Sequence, residues 1–148
     1  MTPTHEPPSG LVVDYSAPTV EVLRGHREWA GLKGFTAGSE REAIGVLEQT
    51  PVALVITDFR MPQASGLDLI HHVRENFRDT QTLMITGYPT ITTAVQAVKG
   101  GAEDYLAKPF TDSELLDAVH RALDSLRSRR LSREEPAADS PSPSGLIG

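Results

Sequence analysis

Residues 52–70 read VALVITDFRMPQASGLDLI, and this stretch decides the fold class. Its first part, Val52 to Thr57, is a run of apolar and β-branched residues, which is typical of a strand buried on both faces. The run stops at Asp58, and apolar residues then recur at helical spacing from Leu67 to Val73. We therefore expect a buried strand that ends in a carboxylate and is followed by a helix.

The same alternation of strand and helix signals extends over the body of the chain. Five strands alternating with five helices predict a parallel sheet with helices on both faces. Besides those named above, strands are expected at 11–13, 34–37, 82–86 and 104–107, and helices at 20–29, 39–47, 91–98 and 111–126.

Two helix starts carry a capping-box pattern. Ser39 is followed three residues later by Glu42, and Thr111 is followed by Glu114. In such a box the hydroxyl and the carboxylate each accept a backbone N–H of the other residue, which fixes the first turn.

Composition limits the classes of protein that the chain can represent. It has 148 residues, about one domain, with 14 basic and 20 acidic residues and a formal net charge of −6. This charge argues against direct nucleic-acid binding, and the absence of cysteine excludes disulfides and thiolate metal sites. No apolar run is long enough to span a membrane, so a cytoplasmic location is expected.

The chain divides into three zones by composition. Residues 1–9 are rich in proline and are expected to form a disordered arm, and residues 10–127 form the ordered body. Residues 128–148 are expected to extend the last helix and then to form a linker that leads toward a missing output domain.

Polar side chains are expected to meet at one edge of the sheet. The carboxyl ends of parallel strands lie at the same edge, where such sheets bind ligands. Asp14, Asp58, Thr86 and Lys108 lie at the ends of four predicted strands. Carboxylates suit a hard cation such as Mg²⁺, an ammonium suits a phosphoryl group, and a carboxylate can itself accept phosphoryl.

Each of these residues also has an ordinary structural interpretation. An aspartate after a strand is often a turn or cap residue, and a lysine is usually a solvated surface group. The combination at four separate strand ends favours the site over these alternatives.

Four stretches resemble the receiver domain of two-component response regulators. They are LVVD (11–14), ITDFRMPQASGLDLI (56–70), MITGY (84–88) and GAEDYLAKPF (101–110), in the family's order and spacing. The resemblance implies a flavodoxin-like doubly wound sheet with strand order 2-1-3-4-5. It also implies a signalling domain rather than an enzyme.

The resemblance also implies roles for individual residues at the acceptor site. Asp58 matches the aspartate that a sensor histidine kinase phosphorylates, and Lys108 matches the lysine that pairs with a phosphoryl oxygen. Asp14, Asp58 and the backbone carbonyl of Arg60 match the Mg²⁺ ligands.

Further matched residues concern the response to phosphorylation. Thr86 matches the switch hydroxyl, and Tyr105 matches the aromatic residue whose rotamer reports the switch. The Lys108-Pro109 peptide bond matches one that is usually cis in the family.

One position departs from the family pattern. The family has two adjacent acids near the end of its first strand, whereas this chain reads Asp14-Tyr15. With an ungapped register, Tyr15 replaces the acid that binds Mg²⁺ directly, and weaker metal binding is expected. A shift of one residue, which places Asp14 at the second acid position, is the alternative.

The resemblance extends to partners. In many receivers the dimer face corresponds to residues 90–126 of this chain. The ending Gly145-Leu146-Ile147-Gly148 resembles the start of the ATPase domain of NtrC-type regulators, which act with the sigma-54 polymerase. We therefore expect a fragment of such a regulator, and a plain tail is the alternative.

Two other functions remain open at this point. Tyr15 motivates a receiver-like interaction module that works without phosphate. A Mg²⁺-dependent phosphatase with Asp58 as nucleophile is less favoured, because the chain has no insertion that would serve as a substrate cap.

Overall fold

The computed structural model describes residues 9–13, 33–61 and 64–134. Its main sheet has five parallel strands, β1 (Ser9–Val13), β2 (Lys33–Ala37), β3 (Leu54–Asp58), β6 (Gln81–Thr86) and β7 (Asp104–Ala107). Two short strands after β3, β4 (Arg60–Met61) and β5 (Ala64–Ser65), form a separate antiparallel pair that the sequence did not predict. The order β2-β1-β3-β6-β7 confirms the predicted arrangement 2-1-3-4-5 of the main sheet.

Four helices are described, α1 (Glu40–Gln49), α2 (Gly66–Asn76), α3 (Ile91–Gly100) and α4 (Asp112–Glu134). The helix expected over 20–29 lies outside the described residues, as do residues 1–8 of the expected arm and residues 135–148. Ser9, expected in the arm, is instead the first residue of β1. In the described ranges, no helix combines the length and the apolar character needed to cross a bilayer.

The two predicted capping boxes differ in detail. At α4 the box is reciprocal: the Glu114 N–H donates to Thr111 Oγ1 (3.0 Å) and the Thr111 N–H donates to Glu114 Oε1 (2.9 Å). At α1 the Glu42 N–H donates to Ser39 Oγ (3.2 Å), but the Glu42 carboxylate accepts the Gly38 N–H (2.6 Å). In a capping box the Glu42 carboxylate would accept the N–H of Ser39, whereas here it accepts the N–H of the preceding residue, Gly38.

Helices cover both faces of the sheet, as the apolar strands predict. Leu54 and Ile56 of β3 are fully buried and belong to one core cluster with Leu115 and Val119 of α4. Val55 points to the opposite face, where it packs with residues of α1 and α2. Burial of each such side chain contributes about 1.5–3 kcal/mol, so β3 is the apolar centre of the domain.

Helix α3 forms where it was predicted, but its large apolar residues are not in the core. Ile91, Val95 and Val98 are 84%, 44% and 56% exposed. The residues of α3 that are buried are Ala97 and Gly100. The apolar spacing therefore identified the helix correctly, although three of its apolar side chains lie on the solvent face.

Candidate functional site

The register of the parallel strands brings three of the four predicted strand-end residues, Asp58, Thr86 and Lys108, to one edge. Asp58 ends β3 and is paired with Ile85, and Thr86 ends β6 and is paired with Ala107. The ladder continues one residue past these ends, since the Phe59 N–H donates to the Ile85 carbonyl (2.9 Å) and the Lys108 N–H donates to the Thr86 carbonyl (2.8 Å). These backbone bonds hold the starts of the three following loops side by side.

Asp58 and Lys108 form an ion pair at this edge. Lys108 Nζ lies 3.4 Å from Asp58 Oδ2, and the two side chains are 24% and 11% exposed. The Lys108-Pro109 peptide bond is cis. The Lys108 ammonium is suited to attract an incoming anion, and the Asp58 carboxylate beside it is nearly buried but reachable from solvent.

Gly66, the first residue of α2, is in very close contact with the backbone of Asp58. A Cβ built on Gly66 would overlap the Asp58 carbonyl oxygen and would lie 3.2 Å from the Phe59 Cα. The Gly66 N–H donates to the Phe59 carbonyl (2.7 Å). The start of α2 therefore fixes the backbone of the aspartate, and only glycine fits there.

Thr86 is almost fully buried, and its hydroxyl is engaged in its own loop. Its Oγ1 accepts the Tyr88 N–H (3.0 Å). The guanidinium of Arg60 lies over the Tyr88 ring, 4.8 Å from its centroid, so the loops after β3 and β6 contact each other. Such a contact contributes about 0.5–1 kcal/mol at an exposed site.

The Tyr105 hydroxyl is part of the N-terminal cap of α3. It lies 2.7 Å from Thr93 Oγ1 and accepts the Thr90 N–H (3.2 Å). Thr90 and Thr93 also form a capping box with each other. The tyrosine on β7 is therefore bonded directly to the first turn of the helix whose solvent face is apolar.

The described oxygen donors are of the chemical type that a hard cation binds. The Asp58 carboxylate and the backbone carbonyl of Arg60 lie in the same strand-end segment, and Mg²⁺ typically takes one or two carboxylates and keeps several waters. Within the described ranges no group of three or more His, Cys, Asp or Glu side chains could hold a metal. Asp14 and Tyr15 lie outside the described residues.

Several contributors to this edge were not predicted from the sequence. Gly66 carries no pattern that reveals how close it lies to Asp58. Thr90 and Thr93 have the spacing of a helix cap, which is a signal that could have been found. The contact between the Arg60 and Tyr88 side chains depends on two loops meeting in space, so no local pattern indicates it.

The fold and this edge define a class of protein: a doubly wound domain with an acid–lysine pair at the carboxyl ends of its strands. The family model of the response regulator receiver domain matches residues 11–120. The chain therefore belongs to the response regulator receiver family, whose members are phosphoryl-accepting domains in two-component signal transduction.

Two regulators illustrate the similarity in sequence. The chain is 36% identical to the C4-dicarboxylate transport transcriptional regulatory protein DctD of Pseudomonas aeruginosa, over 79% of this chain and 25% of that protein. It is 38% identical to the response regulator protein PilR of the same organism, over 70% of this chain and 23% of that protein. The chain thus spans about a quarter of the length of these relatives.

Solved structures show the same fold. A signal receiver domain of an HD domain-containing protein from Pseudomonas fluorescens superposes with a TM-score of 0.81 at 26% identity, covering 88% of this chain and 97% of that one. The beryllofluoride-activated NtrC4 receiver domain dimer superposes with a TM-score of 0.75 at 30% identity, covering 80% and 98%.

Replacing Gly66 with alanine is expected to destabilise the protein by about 2–3 kcal/mol, because the added methyl group overlaps the Asp58 carbonyl. Gly45 is the matched control. It lies inside α1 with nothing within 4 Å of a built Cβ, so Gly45→Ala should stabilise by about 0.5–1 kcal/mol. Urea unfolding of both variants measures the difference, and equal effects would contradict the close contact at Gly66.

Proposed function

We propose that Asp58 is the carboxylate that accepts a phosphoryl group from a sensor histidine kinase. The observation that carries the proposal is the nearly buried Asp58 carboxylate with Lys108 Nζ 3.4 Å away at the carboxyl edge of the sheet. Membership of the receiver family supplies the chemistry that such a pair performs.

Asp58 and Lys108 have different roles in the phosphoryl transfer. An Asp58 carboxylate oxygen attacks phosphorus, the bond from phosphorus to the kinase histidine breaks, and an acyl phosphate forms. The carboxylate and the phosphoryl group repel each other because both are negative. The Lys108 ammonium lies where it offsets part of that repulsion in the transition state.

We assign the Mg²⁺ ligands to Asp58, the Arg60 backbone carbonyl and Asp14. The metal, when bound, neutralises phosphoryl charge. Tyr15 would leave the protein with one anionic ligand fewer than the family pattern has, and a neutral phenol does not replace it. Weak metal binding is therefore part of the proposal.

Thr86 and Tyr105 are proposed to carry the response to phosphorylation. A phosphoryl group adds strong acceptor oxygens next to Thr86. If the Thr86 hydroxyl turns to donate to them, its bond from the Tyr88 N–H is lost, and the loop that leads to Thr90 is released. Because the Tyr105 hydroxyl is bonded at Thr90 and Thr93, that change reaches α3.

We propose that this change alters a dimer face within residues 90–126. The exposed apolar side chains Ile91, Val95 and Val98 form one side of it. The Arg121–Asp104 ion pair (2.6 Å) lies within the same residues, and its hydrogen bond raises the pKa of Arg121. The similar NtrC4 receiver is a dimer in its beryllofluoride-activated form.

The output partner is proposed to be a domain that follows in a longer regulator, of the sigma-54-activating ATPase type that the Gly145–Gly148 ending resembles. The first two relatives are about four times longer than the aligned region. A receiver-like module that works without phosphate is the second candidate, and Tyr15 is the observation that favours it.

Incubation with acetyl phosphate and Mg²⁺ should add one phosphoryl group to the native chain, measured by intact mass. Asp58→Asn should add none, because an amide cannot form the acyl phosphate. Lys108→Ala should react roughly 100-fold more slowly, as expected when a group that stabilises transition-state charge is removed.

Asp68→Asn is the control for this experiment. Asp68 is an exposed carboxylate in the first turn of α2, so its loss should leave the mass gain unchanged. Phosphorylation of Asp58→Asn to the native level would refute the assignment of the acceptor. A native chain that gains no mass would favour the phosphate-independent module.

Tyr15→Asp should bind Mg²⁺ about tenfold more tightly than the native chain, because it restores an anionic oxygen ligand. Isothermal titration calorimetry measures the affinity. Tyr15→Asn, which changes the side chain without adding charge, should bind as the native chain does. Equal affinity in all three proteins would show that Tyr15 does not occupy the position of the missing acid.

Val95→Asp should abolish dimer formation by the beryllofluoride-treated protein, because it places a charge on the apolar side of α3. Gln96→Asp adds the same charge one residue further along the same helix, also at an exposed position, and should still dimerise. Sedimentation equilibrium distinguishes the two. Equal dimerisation of both variants would exclude this face.

A further inference from the structure

A second concave site lies at the opposite end of the sheet from Asp58. Its volume is about 610 Å³, within the range of ligand pockets. Gln81 and Thr82, at the start of β6, line its base, and Val73 and Phe77 of α2 add apolar surface. Since β6 rises about 3.3 Å per residue, this cavity is about 15 Å from the acceptor edge at Thr86.

Among the residues that the structure describes, three arginines line the cavity, and no aspartate or glutamate does. They are Arg74 on α2, Arg78 after α2 and Arg129 on α4. None of them pairs with a carboxylate among the described residues. The neighbouring Glu103 accepts from Gln81 Nε2 and Ser125 Oγ, both at 3.4 Å, so its carboxylate is bonded to two other residues of this end of the sheet.

Two of the guanidinium groups are held in place by neutral acceptors. Arg74 Nη1 donates to the Lys99 carbonyl (2.8 Å), and Arg129 Nη2 donates to the Arg78 carbonyl (2.9 Å). A guanidinium has five N–H donors, so each retains donors for a ligand after these bonds. Arg74 and Arg129 are therefore positioned by the fold without an ion pair to a described carboxylate.

Gly101 makes room for one of them. Its φ is +121°, a conformation that favours glycine, and a built Cβ would lie 2.8 Å from Arg74 Cδ. A larger residue at this position would displace the Arg74 side chain from the wall of the cavity. The Ser125 and Ser128 hydroxyls line the cavity from α4, and Thr80 lines it beside β6.

We propose that this cavity binds a small polyanion carrying at least two phosphate or carboxylate groups. Guanidinium groups donate in pairs to such oxygens, and the Ser128 hydroxyl can supply a further donor. The cavity is too large for a single phosphate ion, and three arginines match more than one anionic group. The chain as a whole is acidic, with a net charge of −6, so a cluster of three arginines differs from its overall charge.

Such a ligand would join two elements. Arg78 follows α2, whereas Ser125, Ser128 and Arg129 belong to the C-terminal half of α4. Binding would fasten the C-terminal part of α4 to the body of the domain. The site is independent of the proposed acceptor chemistry, since it shares no residue with the edge around Asp58.

The test titrates the ¹⁵N-labelled chain, in Mg²⁺-free buffer at constant ionic strength, with pyrophosphate, tricarballylate or inorganic phosphate. Amide signals of Gly101, Ser125 and Ser128 should shift and saturate with pyrophosphate or tricarballylate, with a Kd below about 1 mM, whereas Thr86 should not shift. The ligand with the lower Kd shows whether the cavity prefers phosphate or carboxylate groups.

Arg78→Gln and Arg129→Gln should each weaken binding about tenfold, the effect of losing a charged hydrogen bond. Arg127→Gln is the matched control, since it removes the same charge from α4 outside the cavity, and should change the Kd by less than about twofold. Arg78→Gln breaks no side-chain hydrogen bond of the described structure, so it stays informative if Arg129→Gln disturbs α4.

Three results would overturn the proposal. The first is the absence of saturable shifts up to about 10 mM of either polyanion. The second is an equal loss of affinity in all three arginine variants, which would indicate general charge attraction. The third is a set of shifts centred on Thr86 and Lys108, which would place the anion at the acceptor edge instead.

Discussion

The parallel register of β3, β6 and β7 is the constraint on which the rest of the structure depends. It sets Asp58 beside Ile85 and Thr86 beside Ala107, and backbone hydrogen bonds extend the pairing into the loops. A shift of one residue in β3 would turn Leu54 and Ile56 away from α4 and move the carboxylate along the edge. The apolar core and the placement of the acceptor are therefore fixed by the same register.

Local patterns predicted much of this arrangement. The apolar run before Asp58 and the spacing of the other strands gave the strand positions within one or two residues, because strands buried on both faces require nearly continuous apolar residues. The helix starts at Ser39 and Thr111 could also be predicted. A hydroxyl residue followed three residues later by glutamate can cap a helix through hydrogen bonds within its first turn.

Features that depend on tertiary contacts could not be predicted in this way. The apolar residues of α3 have the spacing of a core-facing helix, and the sequence alone does not show that the Ile91 side chain is 84% exposed. Gly66 resembles any glycine before a helix until the position of the Asp58 carbonyl is known.

Helix α3 has an unusual balance of interactions. The residues it buries are alanine and glycine, so it adds little apolar area to the core. Its first turn is held by hydrogen bonds among Thr90, Thr93 and the Tyr105 hydroxyl. Elements with little apolar burial open at a free-energy cost well below that of global unfolding. Amide protons in α3 should therefore exchange with solvent through local opening, while those of β3 and β6 exchange only when the whole domain unfolds.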